Sequence, residues 1–145
     1  RGGERCHGTR GGRLDCLEGW PSRVGRVEPH TGRCLGAALD DATLADVEVC
    51  GAAVDSLGPR RAWRIAFEAA RSHQTVQVEV TDPDIRCAQL TAWEELRVGL
   101  EGGGATALAA LLSGAYQPAP DETIGIVCSG GNVDIAAVLG QNPWR

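Results

Sequence analysis

The 145-residue chain contains no lysine: all 14 of its basic residues, from Arg1 to Arg145, are arginines. No side chain therefore offers a primary amine as nucleophile or base. A guanidinium stays protonated at physiological pH and does not replace one. Aromatic residues are sparse at 4%, and none lies among the arginines before Trp20. With a net charge of −5, this argues against a nucleic-acid surface, which needs a basic stripe interleaved with stacking side chains. The longest purely apolar run, Ala107 to Leu112, is too short to cross a bilayer, and nothing near Arg1 resembles the apolar core of a secretion signal. No membrane partner is expected, and cytoplasmic residence is the default. The six cysteines form no C-x-x-C pair, so idle or buried thiols are expected in place of a disulfide or zinc framework. His7, His30 and His73 lack the spacing of a catalytic pair.

What is present divides unevenly. Arg1 to Arg33 holds seven arginines and four acids, a net of +3, whereas Cys34 to Arg145 holds seven arginines and fifteen acids, a net of −8. After the first two dozen residues, strand and helix patterns alternate. Arg23 to Val27 reads as a strand, and Val47 to Cys50 as another. Ala62, Ile65, Ala66, Ala69 and Ala70 recur at helical spacing, predicting a helix over Pro59 to Arg71. Val76, Val78 and Val80 alternate with polar residues as in a half-buried strand. Asp82-Pro83 opens a helix with Ile85, Ala88, Ala92, Trp93 and Leu96 on one face, and Gly104 to Ser113 is an alanine-rich helix stopped by Gly114. The alternation places the chain in the α/β class.

The most informative stretch is Thr123 to Asp134, T-I-G-I-V-C-S-G-G-N-V-D. The β-branched run Thr123 to Cys128 predicts a buried strand that ends abruptly in Ser129, Gly130, Gly131 and Asn132. Such a turn delivers a hydroxyl and an amide to the strand's carboxyl end, where ligands of open α/β sheets sit, and the glycines let backbone approach a planar group. The same residues also suit a plain turn whose serine and asparagine cap the next helix.

This segment resembles the C-terminal signature of the serine/threonine dehydratases and serine racemases, fold-type II pyridoxal-phosphate enzymes related to tryptophan synthase β. Further blocks are similar in the same order. They are Val24-Gly25-Arg26-Val27-Glu28-Pro29, the loop Asp55 to Arg61, the helix Asp82 to Arg97, and Glu101 to Leu112 in the form E-P-G-G-A-T-A-L-A-A-L-L, with Gly102 where the family has proline. The resemblance covers roughly residues 24 to 139.

It implies part of a three-layer α/β sandwich, truncated at its N-terminus, with residues 24–145 as the C-terminal part of the large cofactor-binding domain. Residues 1–23 are expected to be a degenerate, disordered remnant of the Gly-rich phosphate loop, where only Gly2-Gly3 stands for the glycine run. The resemblance also implies pyridoxal 5'-phosphate as cofactor and a small hydroxy amino acid as the parent enzyme's substrate. It places Ser129 at the pyridine nitrogen, with Gly130, Gly131, Asn132 and Glu101 beside the cofactor and Gly2 and Gly3 near its phosphate. Glu101 also reads simply as a loop acid before a helix N-terminus.

Glu28 matches a carboxylate that binds a structural divalent ion in the racemase branch. The second carboxylate falls at Cys34, a poor ligand for a hard ion, so no metal site is expected. The family's Schiff-base lysine, whose neutral amine takes the α-proton, has no counterpart here. The chain is therefore expected to be inactive alone, and to act with a lysine-bearing N-terminal half or to persist as a self-associating, non-catalytic module.

Overall fold

A computed structural model describes residues 24–73 and 75–140. At its centre, β1 (Gly25–Pro29) runs parallel to β2 (Val76–Val80), with Val27 opposite Val78 and Glu28 opposite Glu79. Parallel neighbours need a long crossover. Among the described residues it contains a single 3₁₀ turn (His30–Gly32) and three helices: α1 (Cys34–Asp40), α2 (Val54–Leu57) and α3 (Arg64–Ser72). After β2 come α4 (Asp82–Leu96), α5 (Gly102–Leu112) and α6 (Ile135–Gly140).

The two-residue period of the strands separates two environments. Val27, Val78 and Val80 enter the main core with Ile85, Ala88 and Ala92 of α4 and Ala105, Ala109 and Ala110 of α5. Arg26, Glu28, Gln77 and Glu79 point the other way, where Arg26 donates to Thr75 and Gln77 and Arg33 pairs with Glu79. A second cluster, Leu35, Ala38, Ala62 and Phe67, joins α1 to α3.

Local chemistry sets the helix ends. Thr81 and Asp84 form a reciprocal capping box at the start of α4, with Pro83 in the first turn, and the helix stops at Arg97 in the left-handed region at φ 55°. Gln89 then donates to the Leu100 carbonyl at 2.9 Å, tying the turn back to α4.

Several expectations from the sequence need correction. The helix expected from Pro59 begins only at Arg64. Val47 N–H donates to the Arg60 carbonyl and Arg61 pairs with Asp46, so this stretch bonds to a neighbouring loop in place of its own next turn. That loop holds Val47 to Cys50 without strand pairing, since Cys50 N–H donates instead to Thr31. Ile65 and Leu96, expected on buried faces, are 73% and 63% exposed.

The run Thr123 to Cys128 belongs to no strand, and Val127 is 66% exposed. Its alternation survives as half-buried Ile124 and Ile126 between exposed neighbours. Among the described residues it has no neighbouring strand to pair with, and β character is completed by such a neighbour. No described helix is long and apolar enough to cross a membrane.

Candidate functional site

Three loops meet at the first turn of α5. Its opening residues Gly102, Gly103 and Gly104 are all buried, and each touches a different partner. A side chain on Gly102 would run into the Ala52 carbonyl, one on Gly103 would meet Ser56 Oγ and Leu57 Cγ at 2.8 Å, and one on Gly104 would collide with the Ser129 carbonyl. Glycine is required here by close approach of other backbone. The loop before α2 and the turn after Thr123 to Cys128 are thereby both pressed onto one helix end.

The Ser129 turn is fixed further by Glu101. Glu101 N–H donates to the Gly130 carbonyl at 2.7 Å. Gly130 has φ 73°, and a Cβ there would stand 2.7 Å from the Glu101 carboxyl carbon and Oε2. Only glycine serves where positive φ and a carboxylate in contact coincide. Glu101 is the N-cap residue of α5, but its side chain makes no capping bond. Among the described residues its carboxylate has no partner, and it stands beside the helix's positive end, a favourable place for its charge.

On the outer side the turn is open. Ser129 is half-buried, Gly131 and Asn132 are exposed, and a Cβ on Gly131 would meet nothing nearer than the Gly99 carbonyl at 3.9 Å. Among the described residues, the Ser129 hydroxyl, the Asn132 amide and the Glu101 carboxylate have no hydrogen-bond partner. The structure thus brings together five residues singled out from the sequence: Ser129, Gly130, Gly131, Asn132 and Glu101. A hydroxyl, an amide and a carboxylate around an accessible glycine can donate to and accept from the edge of a planar polar ligand. Gly2 and Gly3, with the whole remnant assigned to residues 1–23, lie outside the described residues.

Glu28 stands elsewhere, on the polar face of β1. It is 0% exposed and accepts from Leu35 N–H at 2.9 Å and Gly36 N–H at 2.7 Å. Both oxygens are engaged by the start of α1. Burial pushes its carboxyl above the ordinary value, against the pull of those two N–H groups and of Arg26 and Arg33. Burial likewise raises the Cys34 thiol, with Glu28 adding to the effect, so the thiolate a metal would need is disfavoured. No group of three or more potential metal ligands occurs among the described residues. The sequence reading missed Ser56, whose Oγ accepts from Gly103 N–H at 2.7 Å. A serine two residues before a Gly-Pro turn gives no signal of a partner 47 positions away.

No family model matches the chain. A serine racemase of Dictyostelium discoideum is 37% identical over 60 residues, 41% of this chain and 18% of the racemase. A protein of Sinorhizobium fredii named as a threonine dehydratase is 31% identical over 118 residues, 79% of this chain and 35% of that protein. Among solved structures, a threonine deaminase from T.th. superposes with a TM-score of 0.72 at 23% identity, over 81% of this chain and 43% of the deaminase. The Dictyostelium racemase superposes with a TM-score of 0.66 at 26% identity, over 77% of this chain and 36% of the racemase. The chain therefore spans less than half the length of each of these relatives. Part of the fold-type II α/β architecture, the fold expected from the sequence, is the fold found.

Proposed function

From a chain homologous to serine racemases and threonine dehydratases and carrying part of the fold they share, we propose that it forms the ring-edge half of a pyridoxal-phosphate site. The complete site would belong to a serine/threonine ammonia-lyase that converts hydroxy amino acids to 2-oxo acids and ammonia. One observation carries this reading: the Ser129 turn is clamped onto Glu101 and Gly104 while its polar side chains have no hydrogen-bond partner among the described residues.

The residues fit the edge of the cofactor ring. Open space beside Gly131 admits a flat group, and the Ser129 hydroxyl offers the nitrogen of such a ring a neutral partner. A neutral hydroxyl does not force that nitrogen to stay protonated as a carboxylate would, which suits elimination better than transamination. When bound, the cofactor supplies the electron sink for the substrate's α-carbon. This chain's part is to hold and orient: Ser129 and Asn132 by hydrogen bonds, Glu101 by its charge, the glycines by allowing contact.

The residues do not fit the covalent attachment, because the chain has no lysine. That amine, the base for the α-proton and the phosphate cradle must come from another stretch of polypeptide. Activity then requires complementation by a lysine-bearing N-terminal half. The test is a titration of the full chain with pyridoxal phosphate, with and without the lysine-containing N-terminal half of a related dehydratase, following cofactor absorbance and keto-acid release. Turnover only in the mixture is the expected result. A folded mixture that neither shifts the absorbance nor releases product overturns the reading.

A second reading, a non-catalytic module that self-associates, is favoured by the exposed apolar residues Ile65, Leu112 and Val127. Concentration-dependent association without cofactor response in the same titration would select it.

A further inference from the structure

α5 begins without help from its own N-cap side chain, yet the first N–H groups of a helix need partners. One partner comes from across the fold. Ser56, half-buried at α2, accepts from Gly103 N–H at 2.7 Å, while its hydroxyl proton points to the Ala53 carbonyl at 3.4 Å. The same turn of α5 holds the Ser129 loop on its other side, through the Gly104 contact with the Ser129 carbonyl and the 2.7 Å bond from Glu101 N–H to Gly130. Gly102, Gly103 and Gly104 are consecutive, buried, and in close approach to Ala52, Ser56 and Ser129 in turn.

We propose that Ser56 is a positioning residue for the Ser129 site: by capping α5 from outside, it sets where the Ser129–Gly130 turn stands. Ser56 touches no atom of that turn and acts through Gly103. The proposal deepens the cofactor-site reading and rests on it for its functional meaning. The hydroxyl is the operative group, because it alone combines an acceptor for Gly103 with a donor toward Ala53.

Amide hydrogen exchange on the full chain, without cofactor, tests this. Ser56→Ala is expected to speed exchange about tenfold at Gly103 and at Glu101, whose N–H bonds the Ser129 turn, while Val78 in β2 keeps its protection. Ser56→Thr, which keeps the hydroxyl, is expected to restore both amides. Faster exchange at Gly103 with Glu101 unchanged would overturn the proposal, since Ser56 would then cap the helix without positioning the turn. Should Ser56→Ala unfold the chain, Ser56→Thr decides: protection at Glu101 supports the proposal, and its loss with Val78 still protected overturns it. These readouts need no cofactor. If the complementation titration fails while the exchange result holds, the cofactor reading falls alone and Ser56 remains the group that places the turn.

Discussion

Glu28 and Glu101 both stand at the start of a helix, yet their carboxylates are in opposite conditions. Glu28 is fully buried and accepts two backbone N–H bonds from α1, with Arg26 and Arg33 nearby. Glu101 is half-exposed and, among the described residues, accepts nothing, although its backbone N–H holds the Ser129 turn. A buried carboxylate with both oxygens engaged belongs to the architecture, because its removal strands the donors around it. An open carboxylate beside a hydroxyl and an amide without partners among the described residues has hydrogen-bonding capacity left for a ligand. The two carboxylates thus separate what holds the fold from what is available for chemistry, and they should respond oppositely to mutation.

The largest effect is expected at Glu28. Glu28→Ala leaves the buried N–H groups of Leu35 and Gly36 without their acceptor and removes the negative charge near Arg26 and Arg33, and should cost about 3–5 kcal/mol in urea unfolding. Glu28→Gln keeps one acceptor but turns a donor toward the other N–H, and should cost about 1–3 kcal/mol. A Glu28→Ala chain as stable as its parent would break the comparison at its architectural end.

Next in size is Gly104→Ala. Its new methyl would collide with the Ser129 carbonyl, and the mismatch should cost about 1–3 kcal/mol, as overpacking does. The sharper readout is local: the amide resonances of Ser129 and Gly130 should move while those of β1 and β2 stay. If the strand resonances move as much, α5 is a general core element and not a specific support for the turn.

A smaller effect comes from protons. Because burial holds the Glu28 carboxyl above its unfolded value, the folded state keeps this proton to higher pH than the unfolded chain. Its contribution is complete below the unfolded value of 4.5 and is lost as pH rises through the raised folded value. The stability advantage of the parent over Glu28→Gln should therefore shrink as pH rises from about 4 toward 7, by at most about 1.4 kcal/mol per pH unit. Urea titrations of both chains at each pH measure it. An advantage that grows with pH would mean that the N–H groups and arginines outweigh desolvation.

How much of this was legible beforehand depended on the range of the forces involved. α4 could be read closely because its capping box, proline and apolar face are all local to residues 81–96. β2 could be read from alternating valines. The five residues of the site came from the family pattern together with a glycine turn. The Ser56 bond to Gly103 and the Glu28 bonds to α1 span 47 and 7–8 positions, and nothing in the intervening residues encodes them. Pro59 to Ala62 looked helical and was drawn off by a loop, while Thr123 to Cys128 looked like a strand and has no described neighbour to make it one. Those are tertiary outcomes that override propensity.

The smallest stability effect should fall on the residue with the largest functional one. The Ser129 hydroxyl has no partner among the described residues and its side chain is only half-buried, so Ser129→Ala should shift unfolding by no more than about 0.5 kcal/mol. The backbone contacts that fix the turn, from the Ser129 carbonyl to Gly104 and from Gly130 to Glu101, do not involve that hydroxyl and should persist. In the complemented mixture, the same substitution should weaken pyridoxal-phosphate binding about tenfold, as loss of one hydrogen bond to a bound ring would. Dissociation measured by cofactor fluorescence, beside urea unfolding of the same chain, separates the two quantities. A Ser129→Ala chain that loses stability but binds as before would place Ser129 with Glu28 on the architectural side. The distinction between the two helix starts would then vanish.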